Sequence, residues 1–133
     1  MEKSKTSGYI TAEHFRDLTL ITYPVDTSRL DIFRKVLDPA HVTPANIRTT
    51  ELTIMMVQWV ASQRGVCVLP DWALLEYRDK KTLRTLRIGK NGLHNNLYIA
   101  TRTEDSDRGF MRDFIDSARE LSFELFETVR EIK

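Results

Sequence analysis

The stretch LTIMMVQWVASQRGVCVL, residues 52–69, decides how the chain is read. From Leu52 to Arg64 apolar residues fall on nearly every side of a helical wheel, which predicts a buried helix. Gly65 stands where a helix C-cap glycine belongs. Val66–Leu69 is apolar at every position, as expected of a strand covered on both faces. Pro70 and Asp71 then close it, because proline has no N–H to continue a ladder. A helix, a glycine and a buried strand in direct succession are the step from which parallel α/β sheets are built.

Working outward, the same alternation appears on both sides. Upstream, Thr11 is placed to cap a short helical turn through Glu13 and Arg16. Leu18–Tyr23, LTLITY, is a compact strand ended by Pro24. Thr27 or Ser28 is placed to cap a helix reaching Asp38, in which Leu30, Phe33, Val36 and Leu37 recur at helical spacing and which Pro39 stops. Ile47–Glu51 is a short polar strand candidate. Downstream, Trp72–Tyr77 reads as a helical turn, Leu83–Ile88 as a loosely alternating strand, Asn91-Gly92 as a turn and Leu97–Thr101 as a further strand. Asp105 or Ser106 is placed to cap a long amphipathic helix, with Phe110, Phe114, Ala118, Leu121, Leu125, Val129 and Ile132 on one stripe. The order β-α-β-α-β-β-β-α predicts an α/β domain with a mostly parallel sheet flanked by helices. The boundaries expected are a loose N-terminal segment at 1–9, a lobe at 10–104 and the C-terminal helix at 105–133.

Composition narrows the function. A length of 133 residues suits one domain that carries its own core. Charged residues make up 29% and the net charge is +1, so no global field draws the chain to nucleic acid or to an acidic membrane. The polar N-terminus leads into no signal-peptide core, and no run approaches the ~20 apolar residues of a membrane helix. With the single cysteine, Cys67, this makes the cytoplasm the expected location. No Gly-rich phosphate loop, nucleophile elbow or C-x-x-C or H-E-x-x-H metal spacing is present. His14, His41 and His94 are scattered over turns and read as surface residues. Cys67 lies inside an apolar strand without a base and reads as a packing thiol. Arg78, Lys80, Lys81, Arg84, Arg87 and Lys90 form the densest positive stretch, best read as a solvated face. No catalytic constellation and no metal site is expected.

Ligands of open α/β sheets lie outside the carboxyl ends of the strands. One such end offers Tyr23, Asp26, Thr27, Ser28 and Arg29: hydroxyls, a carboxylate and a guanidinium beside a helix start whose free N–H groups favour an anion. A second offers Thr49, Thr50 and Glu51. A third is Leu69-Pro70-Asp71. Thr27, Ser28, Thr49 and Glu51 equally occupy positions where helix caps are expected, Arg29 one where a salt bridge is, and Met55, Met56 and Trp59 read as core.

Several strings resemble one family. ITAEHFRDLTLITYPV, residues 10–25, resembles the entry into the second lobe of the effector domain of LysR-type transcriptional regulators, where a short turn precedes a strand and a ligand-facing loop. MVQWVASQRGVCVLPDWAL, residues 56–74, resembles the family's helix–Gly–strand–Leu-Pro unit, and LYIATR, 97–102, its closing strand. YPVDTSRLDIFRKVLDPAHVTP, residues 23–44, is more specific and resembles the branch of the family that regulates methionine biosynthesis. The likeness runs from about residue 8 to 122.

The resemblance implies a lobe of periplasmic-binding-protein type II-like fold, a regulatory and not an enzymatic role, and a small-molecule effector held between two lobes. For the methionine branch it implies homocysteine, its ammonium meeting a carboxylate such as Glu51 or Asp26 and its carboxylate meeting N–H groups and hydroxyls. In the family, DNA is bound by an N-terminal winged helix-turn-helix and the C-terminal helix packs on the first lobe. Neither the winged helix-turn-helix nor the first lobe is expected in this sequence, so DNA binding is expected only of a longer protein, and the helix with its apolar stripe is expected either to fold back on itself or to self-associate. A small α/β enzyme with an unfamiliar site, a solute-binding lobe and a purely oligomerising piece are the alternatives.

Overall fold

The computed structural model describes residues 8–77 and 81–132. It divides into two compact units, 1–93 and 94–133. In the first, β2 (Thr19–Thr22) is the middle strand of a parallel sheet of order β3-β2-β4, with β3 at Asn46–Thr49 and β4 at Val66–Cys67. The register sets Thr22 opposite Thr49 and Ile21 opposite Cys67. A second parallel pair joins β1 (Tyr9–Ile10) to β5 (Arg87–Ile88). The α/β class with parallel pairing is therefore as the element order predicts.

Covering both faces of β2 anchors this unit. Leu20 and Ile21 point to opposite faces of the pleat, and both are fully buried. Leu20 belongs to a cluster with Phe15, Ile32, Phe33, Leu37 and Val42. Met56 and Val57 of helix α1 (Thr53–Ala61) are buried as well. Phe15 comes from a 3-10 turn, Ala12–Asp17, which starts at Thr11 as expected: the Thr11 amide donates to Nδ1 of His14 at 3.1 Å.

Several expectations are corrected. Tyr9, assigned to a loose N-terminal segment, is paired in β1; residues 1–7 lie outside the described part. The helix expected from Thr27 or Ser28 to Asp38 is broken. Asp26, not Thr27 or Ser28, is the cap, and its side chain accepts from the Ser28 amide. That contact closes a 3-10 turn at Thr27–Arg29, after which Leu30 is extended and packs against the core. The following turn, Phe33–Leu37, is π-helical, with the Asp38 amide donating to the Phe33 carbonyl at 2.9 Å just before Pro39, which has no N–H to continue it.

Helix α1 is buried on one face only: Leu52, Ile54 and Met55 are exposed. Gly65 is not its cap. The left-handed residue after α1 is Gln63, at φ 59°, while Gly65 sits where a Cβ would lie 2.5 Å from the Thr19 carbonyl oxygen. β4 is half-buried, not sealed on both faces.

In the second unit, Leu97–Thr101 pairs with no strand among the described residues, and Leu97 and Tyr98 are 74% and 75% exposed. A strand needs a partner for its N–H and C=O groups, and an apolar run alone cannot supply one. The long helix α2 is confined to Gly109–Leu125, with Arg108 as N-cap. The expected caps serve the turn before it: the Ser106 hydroxyl donates to the Thr103 carbonyl at 2.7 Å, and Asp105 pairs with Arg108 at 2.9 Å. Past Leu125 the chain leaves the helix at Phe126 and turns at Val129. The stripe is present and open, with Phe110 and Phe114 63% and 66% exposed.

Candidate functional site

Parallel pairing brings the carboxyl ends of β2 and β3 side by side, and two contacts fasten the loops beyond them. The Thr50 amide donates to the Thr22 carbonyl at 3.0 Å, one step past the last paired residues. The Tyr23 hydroxyl and the Thr53 hydroxyl lie 2.6 Å apart, tying the β2 loop to the first residue of α1. The N-cap of α1 is Leu52, which offers no side-chain acceptor, so the cap role expected of Thr49 or Glu51 is not taken up. The nearest substitute is a long 3.4 Å bond from the Leu52 amide to the Thr50 hydroxyl. The start of α1 therefore presents donors at the strand ends, the polarity that suits an anionic group.

The β2 loop is shaped by Asp26. Its carboxylate accepts from the Ser28 amide at 2.9 Å and from the Ser28 hydroxyl at 2.6 Å. These two bonds, the hydroxyl first, hold the carboxyl below the usual carboxylate range, with Arg29 adding a smaller pull. Asp26 and Ser28 are thus engaged with each other and set the turn. Thr27 contributes its carbonyl, which accepts from the Leu30 amide at 3.0 Å. The side chains of Glu51 and Arg29, both exposed, make no hydrogen bond or ion pair among the described residues. The salt bridge considered for Arg29 does not form there.

Tyr23, Thr49, Thr50 and Glu51 are thus gathered around the β2 and β3 ends, with Asp26–Arg29 on the adjoining turn. Pro70 is not drawn in: it follows β4, is exposed, and its carbonyl accepts from Ala73 in its own turn. The sequence reading missed Thr53 and Thr22. Thr22 is the buried polar residue at the last position of β2, and its signal was that position; Thr53 is a hydroxyl in the first turn of a helix that follows a strand. Among the described residues no group of three His, Cys, Asp or Glu side chains is placed to hold a metal ion. No described helix is long and apolar enough to cross a membrane. Of the basic stretch, Arg78 and Lys80 lie outside the described residues, and Lys81, Arg84, Arg87 and Lys90 are exposed.

A parallel lobe whose polar loops converge at the strand ends is the architecture of an effector-binding domain. The chain matches the LysR substrate binding domain over residues 5–122, and it belongs to that family. Within it, the similar proteins carry one name. The chain is 45% identical over 112 residues to the HTH-type transcriptional regulator MetR of Haemophilus influenzae, covering 84% of this chain and 36% of that protein. It is 36% identical over 110 residues to MetR of Escherichia coli, covering 83% of this chain and 34% of that protein. Among solved structures, a cysteine-to-serine double mutant of the regulatory domain of MetR from N. meningitidis, a LysR family regulator, superposes with a TM-score of 0.80. That pair shares 39% identity over 95% of this chain and 60% of the solved one. The chain spans about a third of the length of the curated relatives it matches. The relatives are named as transcriptional regulators, not enzymes. The chain is similar to part of a regulatory domain of the MetR type.

Proposed function

We propose that this domain senses homocysteine, or an amino acid of the same shape, at the carboxyl ends of β2 and β3. The observation that carries the reading is the pair of contacts, Thr22 to Thr50 and Tyr23 to Thr53, that sets the uncapped start of α1 beside an unpaired Glu51. An α-amino acid presents an anion and a cation a few ångströms apart. The helix start and the Thr49 and Thr50 hydroxyls receive the carboxylate, and Glu51 receives the ammonium. Asp26 is the weaker candidate for the ammonium because Ser28 already occupies it. In a longer protein, a helix-turn-helix of the kind its relatives' names announce carries the signal to DNA, and the setting is cytoplasmic.

The test is a backbone-amide NMR titration with homocysteine, with methionine and cysteine as controls. Saturable shifts confined to Tyr23–Arg29 and Thr49–Glu51 are expected for homocysteine. Glu51→Ala should weaken the response about tenfold, the loss of one charge-assisted contact. An unchanged response in the variant removes Glu51 from the site, and shifts elsewhere move the site.

The open stripe of α2 is proposed as a self-association surface. Phe110, Phe114, Leu121 and Leu125 together expose more apolar surface than scattered single residues do. Sedimentation should therefore show a species larger than the monomer that grows with concentration, and Phe114→Asp should abolish it. A monomer at every concentration counts against this surface.

A further inference from the structure

The first unit holds a cavity of about 160 Å³ that none of the residues gathered at the β2 and β3 ends lines. Val57 and Val60 of α1, Val66 and Val68, and Leu74 with Leu83 are part of its apolar wall. Arg84 and Thr85 supply polar groups at its edge. An apolar space of about this size accommodates a benzene-sized molecule. Arg84 is exposed and makes no ion pair among the described residues, so a cation is free at the edge of an otherwise apolar space. The half-buried Cys67 thiol is also in the wall, and burial pushes it up to about 11.

We propose that this cavity is a second ligand site, for a small carboxylate with a branched aliphatic tail, separate from the amino-acid site at the strand ends. The tail fills the space between α1, β4 and residues 83–86, and the carboxylate meets Arg84. An ammonium on the ligand is disfavoured, because the described residues of the lining include no carboxylate to receive it. This selects against amino acids and distinguishes the cavity from the Glu51 site.

The test uses this chain and 4-methylpentanoate, with 4-methylpentanamide and leucine as controls, read by backbone-amide NMR. Saturable shifts at Val57, Val60, Val66–Leu69 and Leu83–Ile88 are expected, with a dissociation constant of about 1 mM. Arg84→Gln should weaken the acid about fivefold and leave the amide unchanged. Alkylation of Cys67 by iodoacetamide should slow in the presence of the acid and not of leucine. Absence of saturable shifts, or shifts at Tyr23–Arg29 and Thr49–Glu51 in their place, overturns the proposal. Equal binding of acid and amide, or an unaffected Arg84→Gln, overturns the role of Arg84 and with it the ligand class. The homocysteine titration reads different residues, so either site can fail without the other.

Discussion

Gly65→Ala is expected to lower the thermal midpoint by about 10 °C or more, an effect of about 3 kcal/mol in a domain of this length. Two penalties combine. The φ of Gly65 is +154°, a region that side chains other than hydrogen rarely occupy, which costs about 1–3 kcal/mol. The added Cβ would also stand 2.5 Å from the Thr19 carbonyl oxygen and 3.2 Å from the Ile21 side chain. Neither neighbour yields freely: Thr19 is in β2, and Ile21 is fully buried. Relief requires parting β4 from β2, next to the Leu20–Val66 pairing, and overpacking of that kind costs about 1–3 kcal/mol. Two other glycines separate the contributions. Gly89 has φ +69° but nothing within 4 Å, so Gly89→Ala should lose only the backbone part, about 1 kcal/mol. Gly109 has open space and no positive φ, so Gly109→Ala at the start of α2 should be neutral or slightly stabilising. Calorimetry on the three variants checks the order. Equal losses for Gly65→Ala and Gly89→Ala would remove the close approach as the reason for glycine at 65.

Gly65 also marks where the sequence could be read and where it could not. Its position after a helix and before a strand was legible, and the parallel sheet follows from that order. Its purpose was not legible, because a cap glycine and a glycine pressed against a neighbouring strand look alike until the neighbour is known. The same limit explains the other corrections. Asp26, Thr27 and Ser28 are all good caps, and only the geometry of the loop selects Asp26. The apolar run of Leu97–Thr101 is that of a strand, but pairing is a property of two segments and one segment cannot declare it. For the site, the strand-end rule located the loops, while Thr53 entered only through the Tyr23 hydroxyl, thirty residues away in sequence. Pro70 shows the rule's reach: it lies past the end of a strand and still joins none of the other candidates.

Phe15→Ala is the other large effect, expected at about 3–5 kcal/mol, the usual loss for truncating a buried phenylalanine. Phe15 is 1% exposed and belongs to the cluster of Leu20, Leu37 and Val42. It also forms part of the wall of the apolar cavity, so truncation enlarges a space that is already present. Little collapse is available to refill it, because β2 and the Phe33–Leu37 turn are fixed by their own hydrogen bonds. A domain of ordinary stability, about 5–15 kcal/mol, would remain folded with a reduced margin. Urea denaturation should show a lower midpoint with an unchanged slope, since the surface exposed on unfolding is nearly the same. Phe15→Leu keeps most of the volume and should cost about half as much. The amino-acid site should be indifferent in the folded fraction, because Phe15 precedes β2 whereas Tyr23 and Thr50 lie beyond its other end. The cavity should not be: an apolar ligand that binds the folded state alone raises stability by mass action, and the enlarged space in Phe15→Ala should give it more to fill. A midpoint rise with 4-methylpentanoate that is larger in the variant than in the parent chain, beside a rise with homocysteine that is the same in both, assigns the two ligands to two places. A homocysteine effect that grows in Phe15→Ala as the 4-methylpentanoate effect does would mean that the strand ends and the cavity are energetically one site.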